Sequence, residues 1–188
     1  MAAAPRVAGD HFALITELAA TYPGDPGIAI SLMLNLTTLS PGEVLYLPAG
    51  NIHAYIDGTG VELMAASDNV LRGGLTPKHI DVPELLRVLD FRPTPVPYLA
   101  PLSPAPGVED FRPAVPDFRL LHITEPYAFD PGAEAVVLCT SGSWRVASAT
   151  GETRLERGQA CFVSADEREL AFNGHGEIFV ASSNGVLA

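Results

Sequence analysis

Between positions 11 and 22 apolar side chains recur at three- and four-residue steps. Phe12, Ile15, Leu18, Ala19 and Tyr22 share one face, which predicts an amphipathic helix with Asp10 as its N-cap. Pro23-Gly24-Asp25-Pro26-Gly27 ends it, because proline and glycine in succession cannot continue a helical ladder. Beyond Gly27 the period drops to two. Leu32, Leu34 and Leu36 alternate with Met33, Asn35 and Thr37, the pattern of a strand with one buried face. Ser40-Pro41-Gly42 and Pro48-Ala49-Gly50-Asn51 read as turns, bounding predicted strands at 43–47, 53–56 and 61–65. A short helix is expected after Asp81, where Glu84 completes a capping-box pattern and Pro83 is tolerated in the first turn.

Residues 93–116 hold eight of the seventeen prolines. Proline cannot donate to a sheet ladder, so this stretch reads as a surface crossing rather than as strand. A second run of strands follows, expected at 118–123, 135–139, 144–147, 153–155, 160–163, 169–172 and 178–181. Gly132, Gly142, Gly151, Gly158 and Gly174 fall in the turns between them. Both runs contain a turn glycine, Gly42 or Gly158, leading into an apolar strand. The expected fold is mainly all-β: two β-roll modules, a short N-terminal helix and one short connecting helix. The division is 1–24 as a helical remnant of a preceding domain, 25–92 as the first module, 93–116 as the crossing and 117–188 as the second module.

Composition narrows the functional classes. Among 188 residues, 22 acidic side chains outweigh 11 basic ones for a net charge of −11, and Lys78 is the only lysine. Nucleic acids and anionic membranes select the opposite balance, so neither is an expected partner. No apolar run reaches the roughly 18 residues of a membrane span, and the start lacks the apolar core of a signal peptide. Cys139 and Cys161 lie in apolar stretches without metal-binding spacing. They read as buried thiols of a cytoplasmic protein.

Candidate chemistry gathers around one histidine. Gly42, Pro48, Gly50 and His53 form the arrangement G-x5-P-x-G-x2-H, a strand, a rigid turn and an imidazole opening the next strand. A side chain just after a rigid turn has a fixed direction, as a metal ligand needs; a histidine hydrogen-bonded at a barrel mouth is the other reading. The arrangement resembles the second motif of the cupin superfamily. The continuation, Tyr46-Leu-Pro-Ala-Gly-Asn-Ile-His53-Ala-Tyr55, then Glu62-Leu-Met-Ala-Ala-Ser67-Asp68-Asn69-Val-Leu-Arg72-Gly-Gly-Leu-Thr76-Pro77-Lys78, resembles the signature stretch of type I mannose-6-phosphate isomerases. The likeness is close from about Tyr22 to Phe91 and looser to the C-terminus.

The resemblance implies cupin jelly-roll modules and a zinc-dependent aldose–ketose isomerase. Such enzymes interconvert mannose 6-phosphate and fructose 6-phosphate by moving a proton between C1 and C2 through a cis-enediol. It also implies that His53 is a zinc ligand, that Arg72 is the active-site arginine acting on phosphate or enediolate, and that Tyr55, Glu62, Asp68 and Lys78 line the pocket. Plainer readings stand beside these: an ion pair for Arg72 and Asp68, a solvated Lys78, a sheet-edge Glu62 and a barrel-mouth aromatic for Tyr55. The family's Gln-x-His ligand pair is missing, since Gln159 is the only glutamine and His11 the only histidine upstream of His53. The second module, at Gly158-Gln-Ala-Cys-Phe-Val-Ser-Ala-Asp-Glu, has neither the proline nor the histidine and reads as metal-free. The expectation is therefore the C-terminal part of such an isomerase, inactive without the missing N-terminal part, with an N-terminal fragment or self-association as the expected partner. The alternative is a non-catalytic cupin module that binds a sugar phosphate or a protein.

Overall fold

The structure is a computed structural model that describes residues 8–67 and 69–183. The chain divides into two compact units. One runs up to Gly60 and resumes over Ser67–Tyr98; the other comprises Val61–Ala66 and the chain from Leu99 onward.

The first unit is built from helices and the segments between them. Helix α1 covers Ala8–Thr21, so Asp10 lies within it and not at its cap; among its described side chains Leu18 is the buried one. Helix α2, Gly27–Ser31, starts directly after Pro26. The alternating leucines at 32–36 are therefore no strand: Leu32, Met33 and Leu34 form the turns that end α2, with Met33 N–H donating to the Ile30 carbonyl at 2.9 Å. Pro26 opens a short helix whose turns run on into the alternating stretch as far as Leu34, and this local geometry prevails over the period-two pattern. Helix α3, Val82–Val88, begins as expected, with the Asp81 carboxylate accepting from Glu84 N–H at 3.1 Å.

Both predicted turns form. Glu43 N–H reaches the Ser40 carbonyl at 3.0 Å and Asn51 N–H the Pro48 carbonyl at 3.2 Å, with Gly42 at φ 84° and Gly50 at φ 82°. A glycine in the third place, free to take positive φ, is what such turns require. The segments beside them, expected as strands at 43–47 and 53–56, form no ladder apart from a single bridge between Leu45 and Tyr98. The segment 61–65, in the second unit, likewise forms no strand. An alternating pattern becomes sheet only when a neighbouring strand pairs with it, and among the described residues no strand pairs with these segments beyond that bridge.

The second unit is an antiparallel eight-stranded sheet. Its strands are β1 Leu102–Ala105, β2 Val108–Phe111, β3 Arg119–Ile123, β4 Tyr127–Phe129, β5 Ala135–Ala147, β6 Glu152–Glu156, β7 Ala160–Val163 and β8 Leu170–Ser182. The main path is β1-β2-β3-β8-β5-β6, with β4 added to β8 and β7 to β5. Two corrections to the sequence reading follow. Strands expected as separate pairs merge into the long β5 and β8, so Gly142 and Gly174 lie inside strands rather than in turns. The proline-rich stretch contains β1 and β2: Pro104 sits on the edge strand, where a missing donor is tolerated, and Val108–Phe111 is proline-free.

β5 and β8 pair along most of their length, with Gly142 opposite Gly176 beside a bulge between Cys139 and Ser141. On one side of this glycine pair they carry β7 and β3, on the other β6 and β4. Side chains from both halves, Val137, Ile178 and Leu121 with Trp144, Phe172 and Leu155, belong to one buried cluster. The sheet thus folds over its own core in the jelly-roll manner. At its rim the buried Asp110 is held by Arg112 at 2.7 Å and Arg119 at 3.1 Å. Burial pulls the Arg119 guanidinium below its ordinary value, opposed by the carboxylate of Asp110.

Candidate functional site

The first unit places His53 on a well-anchored turn. The Gly50 carbonyl accepts from Asp90 N–H at 3.0 Å, and a Cβ on Gly50 would stand 2.9 Å from the Val88 carbonyl oxygen. The turn is thereby tied to the end of α3, which explains glycine at this place twice over: positive φ and lack of room. The His53 Nδ1 lies 3.1 Å from the Asn51 carbonyl oxygen. A carbonyl only accepts, so Nδ1 is the donor in this bond, which in the neutral ring leaves the lone pair on Nε2. That is the tautomer of an imidazole prepared to ligate a metal through Nε2. The ring is exposed to solvent and the Tyr55 ring stands edge-on to it, with centroids 6.0 Å apart.

Arg72 comes to the same unit on a loop that abuts this turn. A Cβ on Gly73 would stand 2.5 Å from Cδ1 of Ile52, so the residue after Arg72 packs on the residue before His53 with no space for a side chain. Arg72 itself is exposed, and among the described residues it has no ion-pair partner. The Lys78 backbone N–H donates to the Thr76 hydroxyl at 3.2 Å; its side chain is exposed. Glu62 is exposed and lies in the Val61–Ala66 stretch that belongs to the second unit. Asp68 lies outside the described residues.

The adjoining anchor, which sequence reasoning missed, is Asp25. One carboxylate oxygen accepts from Gly27 N–H at 2.7 Å and the other from Leu75 N–H at 3.0 Å. The near bond was legible, since an aspartate two residues before a glycine forms an Asx-turn. The bond to Leu75 spans a sequence separation that no local pattern encodes.

One imidazole does not make a zinc centre, which takes four ligands in a closed shell and three protein ligands when catalytic. Among the described residues no three His, Cys, Asp or Glu side chains converge on a common point. His53 fits as one ligand; this chain's described residues do not fit as a set. No helix among the described residues is long and apolar enough to cross a membrane.

Comparison with known proteins is consistent across sequence and structure. No family model matches the chain. Mannose-6-phosphate isomerase from Escherichia coli K12 is 35% identical over 174 residues, covering 90% of this chain and 44% of that protein. The rat mannose-6-phosphate isomerase is 39% identical over 171 residues, covering 84% of this chain and 40% of that protein. Among solved structures, the Salmonella typhimurium mannose 6-phosphate isomerase bound to fructose 6-phosphate and zinc superposes with a TM-score of 0.82 at 33% identity. That match covers 92% of this chain and 45% of the other. The chain spans less than half the length of the curated relatives it matches. Along nine-tenths of its own length, in sequence and in backbone, it is a homologue of the C-terminal portion of the mannose-6-phosphate isomerases.

Proposed function

We propose that this chain supplies the C-terminal part of a zinc-dependent mannose-6-phosphate isomerase interconverting mannose 6-phosphate and fructose 6-phosphate by proton transfer through a cis-enediol. It is inactive until the N-terminal part is provided by a separate fragment. In this reading residues 25–92 bear the site and 117–188 form the metal-free second cupin module, with 1–24 as the helical lead-in and 93–116 as the crossing. The observation that carries the proposal is the packing of Gly73 on the Ile52 side chain, a contact between the residue after Arg72 and the residue before His53.

Each side chain has a role suited to its chemistry. His53 offers Nε2 as one zinc ligand, its tautomer set by the Asn51 carbonyl; the bound zinc would supply polarisation of the sugar carbonyl. Arg72 presents a planar fork of donors that matches phosphate or enediolate oxygens two at a time. Lys78 adds a second positive charge where a chain of net charge −11 must attract an anion. The family resemblance assigns Tyr55, Glu62 and Asp68 to substrate binding. The protein works in the cytoplasm, on a sugar-phosphate substrate.

The test is metal content and isomerase turnover of this chain, alone and mixed with the N-terminal portion of a relative. Alone, the chain retains substoichiometric zinc after dialysis and forms no fructose 6-phosphate; mixed, it gains both zinc and turnover. Tight stoichiometric zinc and full activity in the chain alone would overturn the missing-ligand part. Binding of sugar phosphate with no turnover in any mixture would favour a non-catalytic cupin module.

A further inference from the structure

The Arg72 loop is held at both ends. At one end Gly73 packs on Ile52. At the other, Asp25 Oδ2 accepts from Leu75 N–H at 3.0 Å while Oδ1 accepts from Gly27 N–H at 2.7 Å. Between these grips the backbone is unusual: Gly74 sits at φ 143° and Leu75 at φ 53°. A γ-branched residue enters that left-handed region only when its surroundings impose it. A Cβ on Gly74 would stand 2.9 Å from the Gly27 Cα, and one on Gly27 2.9 Å from Leu75 Cγ. The two backbones therefore lie in direct contact, with the aspartate as the polar link.

We infer that Asp25 is a positioning residue for Arg72: by bridging Gly27 and Leu75 it fixes the course of loop 72–75 and so the point from which the guanidinium reaches the substrate. The inference rests on the reading of Arg72 as the anion-binding arginine. The course of the loop's backbone sets where the Arg72 side chain starts, and a preorganised donor costs less to bring onto an anion. Aspartate suits the task because both its oxygens accept, and bonds to a charged acceptor are the stronger ones. Asparagine keeps one accepting oxygen and turns an NH2 toward a backbone donor.

The experiment compares the full wild-type chain with Asp25→Asn, Asp25→Glu and Arg72→Ala, using fructose 6-phosphate as the probe. Binding is followed by NMR on the Arg72 side-chain Nε–H, and by calorimetry for Arg72→Ala. Amide hydrogen exchange is followed at Leu75, Val137 and Val180. The wild type binds weakly but measurably. Asp25→Asn weakens binding about tenfold and speeds Leu75 exchange about tenfold, the scale of losing a hydrogen bond to a charged acceptor. Exchange at Val137 and Val180, in the sheet core, stays unchanged. Asp25→Glu keeps the charge on an arm one methylene longer, recovers part of the affinity, and gives the same readout should Asp25→Asn lose the fold. If the wild type does not bind, or Arg72→Ala binds like the wild type, the reading of Arg72 fails and the inference with it. If Arg72→Ala abolishes binding while Asp25→Asn leaves it intact, the inference alone fails. In that case, faster Leu75 exchange identifies Asp25 as no more than a turn staple.

Discussion

Single residues in this chain divide sharply by where their reactive atoms face. The His53 ring is exposed, with its proton placed by a backbone carbonyl 3.1 Å away, and Arg72 is exposed on its loop. The two thiols are the opposite case. Cys139 is fully buried, and Cys161 is half-buried on the paired strand, opposite Val137 and two register steps from Cys139. Burial pushes both thiols above their ordinary value, with the negative charge of Glu156 a lesser contribution at Cys139. A raised thiol pKa means less thiolate at any given pH, and thiolate is the species that reacts. At about pH 8, Ellman's reagent should therefore modify the folded chain slowly, Cys161 before Cys139, and both within seconds to minutes once guanidinium has unfolded it. Immediate modification of Cys139 in the folded chain would mean that the β5–β7 side of the core is open to solvent.

At the scale of elements, the sequence shows most clearly what is local. The Ser40–Glu43 and Pro48–Asn51 turns and the Asp81 cap formed as expected, because proline, glycine and aspartate act through their own backbone geometry. What depends on distant partners was harder to see. The segments at 43–47 and 53–56 carry a strand's alternation but no ladder. The proline-rich stretch hides β2, whose burial against β3 depends on residues further along the chain. Glycines that look like turn residues, Gly142 and Gly174, instead lie inside the paired β5 and β8. At the candidate site, spacing and resemblance single out His53 and Arg72 as candidates, whereas no local pattern encodes the Asp25–Leu75 bond. The close approach of β5 and β8 at Gly142 gives a direct prediction. Gly142 holds φ 72°, and a Cβ there would stand 1.9 Å from the His175 carbonyl oxygen. Gly142→Ala should then cost about 3 kcal/mol or more, combining a left-handed backbone with a clash against main chain. Urea denaturation would check it; a loss under about 1 kcal/mol would show that the two strands have slack at this glycine.

For the whole molecule the governing contrast is between its charge and its uncovered apolar side chains. With 22 acidic against 11 basic residues, the chain repels copies of itself and most acidic partners at long range. Yet Met33 is 77% exposed, Tyr55 73%, Phe91 68% and Phe12 67%, all in the unit whose expected strands form no ladder. Under the proposed function, the N-terminal part of the isomerase covers such surface and completes the ladders. Apolar burial and charge pairing respond oppositely to salt. Ionic strength screens exposed charges over about 10 Å at 0.1 M, whereas excluded salts such as sulfate strengthen burial. If burial drives complementation, association with an N-terminal portion should hold or tighten as sodium sulfate rises, and the recovered isomerase turnover should rise with it. Analytical ultracentrifugation of the mixture across a salt series measures the first and a coupled assay the second. Dissociation by moderate salt would instead place the attraction in the few basic groups, Arg72 and Lys78 among them, and would relocate the interface to the rim of the substrate site.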